Sequence, residues 1–372
     1  MAPDQFKASQ SDVQDARLMN ACLRMARRHT GLTATNPSVG TLLVHNTPNG
    51  PVIVGRGVTA TGGRPHAERV AIEQAGDRAK GATAYVTLEP CAHHGATPPC
   101  AEALIEAGVL RVVTAWIDPD QRVDGRGHRM LMAAGITVDA GLGADRAKVD
   151  LQAYLTRKNK ARPAVTLKLA VSQSGHLGRR GEEVSVTGPL AKRMVHRTRA
   201  EHDAILVGAE TVRADDPDLT VRLPGLQHRS PHRFILSSTG EISADIKLAL
   251  SARTVPVSVV TARQTLPEDL ADLGVTRFAA EAHGDGLALP EILEDMASAG
   301  LSSLMVEGGA RVAEAFLRAD LVDRIELYTA PDDLVGDGLI ASPLTLATVP
   351  PTFTNWRTMH LDADRLDIFL RS

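Results

Sequence analysis

The sequence predicts two consecutive α/β domains, and three observations carry that expectation. The chain has 372 residues, more than one ordinary domain needs and comfortable for two. Short β-rich runs alternate with helical patterns through both halves, the mark of mainly parallel sheets covered by helices on both faces. A basic segment, TRKNKARP, closes on Pro163 and interrupts that alternation at mid-chain. The expected domains are therefore residues 1–156 and 163–372.

Taken in order, DARLMNACLRMARRH reads as a helix in which Cys22, beside Leu18, Leu23 and Met25, is a small buried hydrophobe. SVGTLLVH and PVIVGRGV are strands joined by the turn NTPNG. HAERVAIEQAG is a helix opened by Pro65, and ATAYVTLEP is the next strand. TPPCAEALIEAG is a helix with Thr97 as N-cap, Pro98 at its first position and a terminal glycine. VLRVVTAWI is a strand, GHRMLMAAG and ITVDAGL form a helix–strand unit, and a helix runs from Ala144 to Leu155. After Pro163 the strands AVTLKLAVS, HDAILVGA, HRFILSS, VPVSVVTA, LSSLMVEGG and DRIELYTAP follow, with helical segments between most of them.

Composition narrows the function. A net charge of −3 disfavours polyanion binding, and an aromatic content of 3% supplies few stacking platforms for nucleic acid. The polar start MAPDQFKASQSDVQDAR lacks the apolar core of a signal peptide, and no apolar run reaches bilayer length. The expectation is a cytoplasmic globular protein that binds neither nucleic acid nor membrane.

Three cysteines make no disulfide framework in a reducing compartment, which leaves Cys91 and Cys100 to be explained. Cys91 follows the strand ATAYVTLEP, Cys100 falls in the first turn of a helix, and His66 and Glu68 fall in the first turn of another. Helix N-termini favour thiolates, and a parallel sheet gathers these points at one edge. One imidazole and two thiolates, with a fourth position left to water, is the ligand count of a catalytic zinc site. Such a metal acidifies its water toward neutrality, leaving Glu68 to shuttle protons. Alternatives at this point are a closed structural knuckle completed by His93 or His94, and cysteines without metal. The arrangement His66-Ala67-Glu68, Pro90-Cys91, Cys100 is similar to that of the zinc deaminases, H-x-E followed by P-C and a second cysteine.

Eight residues separate the two cysteines, and PCAHHGATPPC resembles the PCSHxGxTPPC element of the bifunctional riboflavin-biosynthesis deaminase–reductase family. TNPSVG resembles that family's N-P-x-V-G, DPDQRVDGRG its D-P-x-x-x-V-x-G-x-G, and GRPHAERVAI its histidine segment. In the second half LKLAVSQSG, HDAILVGAETVRADDPDLTVR and LMVEGGARVAEAFL resemble the reductase motifs. The resemblance implies a cytidine-deaminase-like three-layer α/β/α domain followed by a dihydrofolate-reductase-like α/β domain. It implies zinc-dependent deamination of 2,5-diamino-6-ribosylamino-4(3H)-pyrimidinone 5′-phosphate, then NADPH reduction of the ribosyl group to ribityl. One Zn2+ per chain, NADPH, a small phosphorylated pyrimidine substrate and a homodimer or larger homo-oligomer follow from it.

By the same resemblance His66, Cys91 and Cys100 hold the metal, Glu68 is catalytic, and Asn36 holds the substrate ring; otherwise Asn36 stabilises the turn before Pro37. Glu183, Arg199, Leu219, Arg222 and Glu307 would face the reductase substrate. Ala170, Ser185, Thr211, Asp215, Ser238 and the run Gly309, Ala310, Arg311, Val312, Ala313, Glu314, Ala315 would face NADPH. Gly308 and Gly309, opening a helix after a strand, offer amides to phosphate or form a simple tight turn.

Four departures stand out. S-L-D-G becomes Ser172-Gln173-Ser174-Gly175, W-I-T becomes Ser185-Val186-Thr187, and Glu183 occupies a serine position where a carboxylate repels phosphate. P-K-L-L-G becomes Pro331-Asp332-Asp333-Leu334-Val335-Gly336. They raise a second reading, a deaminase whose C-terminal domain binds ligand or partner without hydride transfer. A nucleic-acid-editing deaminase conflicts with the long cysteine spacing and the acidic balance. A non-catalytic zinc protein leaves Glu68 without a role.

Overall fold

In the computed structural model, which describes residues 10–95, 97–181, 184–284 and 286–372, the chain forms two units, Met1–Lys160 and Ala161–Ser372. All element counts below refer to the described residues.

The first unit runs α1 (Gln10–Ala26), β1 (Gly40–Thr47), β2 (Gly50–Val58), α2 (Ala67–Ala75), β3 (Thr83–Val86), α3 (Cys100–Glu106), β4 (Arg111–Thr114), α4 (Arg126–Ala133), β5 (Thr137–Ala140), α5 (Ala144–Asp150) and α6 (Gln152–Lys160). Its five-stranded sheet has the order β2-β1-β3-β4-β5. β3, β4 and β5 are parallel, while β1 pairs antiparallel with both β2 and β3. Helix α1 packs on β1, β3 and α5, whereas α2 packs on β1 and β2 and α3 packs against both α2 and α4, giving the three-layer α/β/α sandwich. One apolar core joins Leu23, Leu43, Tyr85, Leu104, Val113 and Leu131.

Local chemistry moves three expected boundaries. Helix α3 begins at Cys100 with Pro99 as its N-cap, not at Thr97. A residue before proline is pushed out of the α region, so consecutive prolines hold the approach extended. The Thr97 hydroxyl instead accepts from Arg64 Nη1 at 3.3 Å. Pro65 lies before α2, whose N-cap is His66. The expected Ala144–Leu155 helix is two helices, broken where Leu151 leaves helical geometry (φ −97°, ψ 4°).

The second unit runs β6 (Ala164–Val171), β7 (His176–Arg179), α7 (Pro189–Ala200), β8 (Ala204–Gly208), α8 (Ala209–Asp215), β9 (His232–Leu236), α9 (Lys247–Leu250), β10 (Val257–Thr261), α10 (Glu268–Asp272), β11 (Thr276–Ala279), β12 (Ala282–His283), β13 (Gly286–Leu287), α11 (Leu289–Ser298), β14 (Ser303–Val306), α12 (Ala310–Arg318), β15 (Arg324–Thr329), β16 (Leu339–Ala341), β17 (Phe353–Leu361) and β18 (Asp364–Arg371). Nine strands form one sheet in the order β11-β10-β9-β8-β14-β6-β15-β18-β17. It is parallel from β11 to β15, and the β17–β18 hairpin adds two antiparallel strands at its edge. The central strands are buried on both faces: Leu206, Leu304 and Val306 join one core, while Ile205, Val207 and Met305 join the other.

Candidate functional site

The metal-binding candidates converge in the first unit. His66 caps α2, Cys91 lies beyond the end of β3, and Cys100 is the first residue of α3. His66 Nδ1 lies 3.4 Å from Cys100 Sγ and 3.7 Å from Cys91 Sγ, and the three ligand atoms are all within 4.8 Å of one another. A tetrahedral zinc with ordinary Zn–N and Zn–S bonds would separate a nitrogen and a sulfur ligand by about 3.6 Å. The two observed distances bracket that value, so the donor set fits the ion in both chemistry and spacing. Among the described residues the group consists of these three. His94 pairs instead with Glu102 at 3.3 Å, and the buried His93 Nδ1 has no hydrogen-bond partner among the described residues.

The Cys91 thiol is primed for a cation, whereas its contact with Cys91 and burial push the Cys100 thiol well up. The Cys100 side chain and backbone N–H, the latter 3.2 Å from Cys91 Sγ, together with His66, bring Cys91 down to about 4. The His66 pKa is raised, chiefly by its contact with Cys91. Glu68, in the first turn of α2, is only 4% exposed and stands outside the ligand trio. Burial first, then the Cys91 thiolate, pushes its carboxyl up to about 7, the range a proton shuttle needs.

Two glycines position this site by close approach. A Cβ on Gly57 in β2 would sit 2.0 Å from the Ala67 carbonyl, so its absence lets α2, with His66 and Glu68, rest directly on the strand. A Cβ on Gly127 would sit 2.0 Å from the Pro90 carbonyl. Glu89 accepts amides from Asp118 (3.3 Å), Gly125 (2.9 Å) and His128 (3.2 Å). The segment DPDQRVDGRG thus braces the backbone immediately before Cys91. Asn36 packs its side-chain amide against Gly63, three residues before His66, and its backbone carbonyl accepts from the Thr33 hydroxyl at 2.7 Å.

In the second unit a cavity of about 1370 Å³ opens where the carboxyl ends of β6, β8, β9 and β14 meet, the usual place for ligands in open parallel sheets. Arg199, Leu219, Arg222 and Glu307 line it, as do Ala170, Ser185, Thr211, Asp215 and Ser238, and Gly309, Ala310, Arg311, Val312, Glu314 and Ala315. Ala313 does not. It is fully buried in the core with Phe316, because a helix cannot turn seven successive side chains toward one side. Glu183 lies outside the described residues. Gly309 caps α12 and donates its N–H to Thr211 Oγ1 at 3.0 Å, which ties that helix start to α8.

The polar centre of the cavity is an ion cluster. Arg199 binds Glu307 through Nε and Nη2, at 2.6 and 3.0 Å, and Lys168 Nζ stands 3.7 Å from the same carboxylate. Burial pushes the Glu307 carboxyl up, but Arg199 and Lys168 pull harder and bring it to about 2. Burial lowers the Lys168 pKa against the pull of Glu307. The sequence reading missed Lys168; its signal was a lone charge between Leu167 and Leu169 in an otherwise apolar strand. Two departures meet in space: Ser174 N donates to Asp333 Oδ1 at 2.5 Å, and Gln173 N donates to the Asp332 carbonyl at 3.2 Å. The altered residues therefore hold each other. Ser185 Oγ donates to the Thr187 carbonyl at 3.3 Å.

Comparison with known proteins matches both units. Residues 12–116 match the cytidine and deoxycytidylate deaminase zinc-binding region, and residues 163–369 match the RibD C-terminal domain. The chain is 37% identical over 337 residues to the riboflavin biosynthesis protein RibD of Aquifex aeolicus, covering 90% of this chain and 92% of that one. It is 40% identical over 337 residues to RibD of Haemophilus influenzae, covering 87% of each. Among solved structures, Acinetobacter baumannii RibD superposes with a TM-score of 0.83 at 34% identity, over 97% of this chain and 99% of that one. A diaminohydroxyphosphoribosylaminopyrimidine deaminase/5-amino-6-(5-phosphoribosylamino)uracil reductase from Thermotoga maritima superposes with a TM-score of 0.85 at 29% identity, over 98% and 100%.

Proposed function

The chain belongs to the bifunctional RibD family of riboflavin biosynthesis, and from that premise we propose a reaction for each unit and roles for its residues. The deaminase occupies residues 1–156 and releases ammonia from 2,5-diamino-6-ribosylamino-4(3H)-pyrimidinone 5′-phosphate. The reductase occupies residues 163–372 and converts the ribosyl side chain to ribityl with NADPH. The observation that carries the first reaction is the ligand trio at tetrahedral spacing with Glu68 buried beside it.

His66, Cys91 and Cys100 would hold zinc, which supplies the Lewis acidity that makes water a nucleophile near neutral pH. Glu68 takes one proton of the attacking water on its carboxylate and passes it to the ring nitrogen, then carries the second, from the new hydroxyl, to the departing amine. The carbon–nitrogen bond breaks and ammonia leaves. Asn36 orients the ring through its amide.

In the second unit NADPH supplies hydride. Thr211, Asp215, Ser238, Ala170, Ser185 and the α12 start from Gly309 face the cofactor. Arg199, Leu219, Arg222 and Glu307, with Glu183 from the motif, face the substrate. Lys168 holds a proton at Nζ against Glu307 and can deliver it to the sugar ring oxygen, which is released when hydride reaches the anomeric carbon and the bond between the two breaks.

Purified protein given the diamino substrate, zinc and NADPH is expected to release ammonia and oxidise NADPH, each followed separately. Ammonia without NADPH oxidation, even on supplied deaminated intermediate, would leave only the deaminase. The family resemblance supports a cytoplasmic enzyme, and among the described residues no helix is long and apolar enough to cross a membrane. The family resemblance supports a homodimer or larger homo-oligomer, which light scattering tests.

A further inference from the structure

A phosphorylated substrate brings a dianion to the deaminase site, yet the ligand trio and Glu68 contribute no lasting positive charge toward it. Cations at the rim must therefore receive the phosphate, and the structure distinguishes among them. His94 is paired with Glu102. Arg69 spends its Nη2 on the Pro98 carbonyl at 3.0 Å.

Arg64 differs from both. It is exposed, lies two residues before His66, and has no carboxylate partner among the described residues. Its Nη1 donates to Thr97 Oγ1 at 3.3 Å, and its Nη2 lies 3.4 Å from where a Gly95 Cβ would stand. The guanidinium thus bridges the segment entering His66 and the loop between Cys91 and Cys100. A guanidinium braced by a neutral hydroxyl keeps donors for a planar, two-pronged grip on phosphate.

We propose that Arg64 is the specificity residue of the deaminase site, receiving the 5′-phosphate of the pyrimidine substrate across the cysteine loop. This rests on the deaminase reading above. Ammonia release is measured with the phosphorylated substrate and with its dephosphorylated counterpart, and zinc per chain is measured in every variant. In Arg64→Gln the preference (the ratio of kcat/KM values) for the phosphorylated substrate falls about tenfold to a hundredfold, mainly through KM, while zinc stays at one per chain. Arg64→Lys keeps part of the preference. Arg69→Gln, which removes a neighbouring cation tied to backbone, leaves the ratio intact.

An unchanged ratio in Arg64→Gln overturns the assignment, as does an equal loss on both substrates, which would make Arg64 a brace for the loop alone. A wild-type protein that releases ammonia from neither substrate defeats the deaminase reading itself, and the Arg64 assignment falls with it.

Discussion

Glu68 combines two properties that seldom coincide on a surface helix: it is buried, and its neighbour is a thiolate. Both oppose its ionisation, so it takes and returns a proton readily near neutrality. Glu68→Gln keeps the size of the side chain and removes the base. Ammonia release is expected to fall about a thousandfold while zinc per chain stays constant, read by ammonia assay and metal analysis. A second residue governs acid stability. His232 stacks on Phe234 at a ring distance of 4.3 Å, contacts Ser258 Oγ at 2.9 Å, and is held down to about 4 by burial and by Arg233. In the unfolded chain it titrates near 6.5. Between these values the unfolded chain binds the extra proton, so this contribution to stability is intact above pH 6.5 and is lost as pH falls toward 4. Urea unfolding at pH 7.5 and pH 5 is expected to cost the wild type on the order of 1 kcal/mol more than His232→Gln, allowing for the ring's remaining solvent contact.

Elements place these residues, and their boundaries separate what was legible in the sequence from what was not. The motif residues His66, Glu68, Cys91 and Cys100 could be located because each sits at the junction of a strand or helix with strong local patterning. Thr97 misled because capping preference was weighed against one proline when two stood in line, and Pro98 before Pro99 forbids the helical turn. The β17–β18 hairpin was invisible because Thr354, Asn355, Trp356, Arg357 and Thr358 are all exposed, which erases the period-two alternation. Lys168 was hidden by reading its strand as an apolar run, and Ala313 was over-assigned by carrying a linear motif onto a helix. Close packing was beyond reach: nothing in GRGV or DGRGH states that a carbonyl lies 2.0 Å from a missing Cβ. Gly127→Ala must displace Pro90 or α4. It is expected to lower stability by about 2 kcal/mol and to weaken zinc retention, measured by denaturation and by competition with a chromogenic chelator.

At the scale of the whole chain, the metal site draws its residues from Met1–Lys160, and the cavity draws all of its lining from Ala161–Ser372. Each unit also has its own core. Zinc removal by chelator is therefore expected to abolish ammonia release while NADPH oxidation with supplied deaminated intermediate persists, and added zinc is expected to restore the first activity. Parallel loss of both would show that the metal also supports the second unit. The three amides gathered by Glu89 come from residues 29 to 39 positions further along the chain. The ion's cradle is thus moored to a distant turn, and warming that frays this turn would set the cargo adrift first. A dye that colours with escaping ion would darken while the far-ultraviolet circular dichroism still stood level, so leakage becomes the earliest alarm of thermal damage.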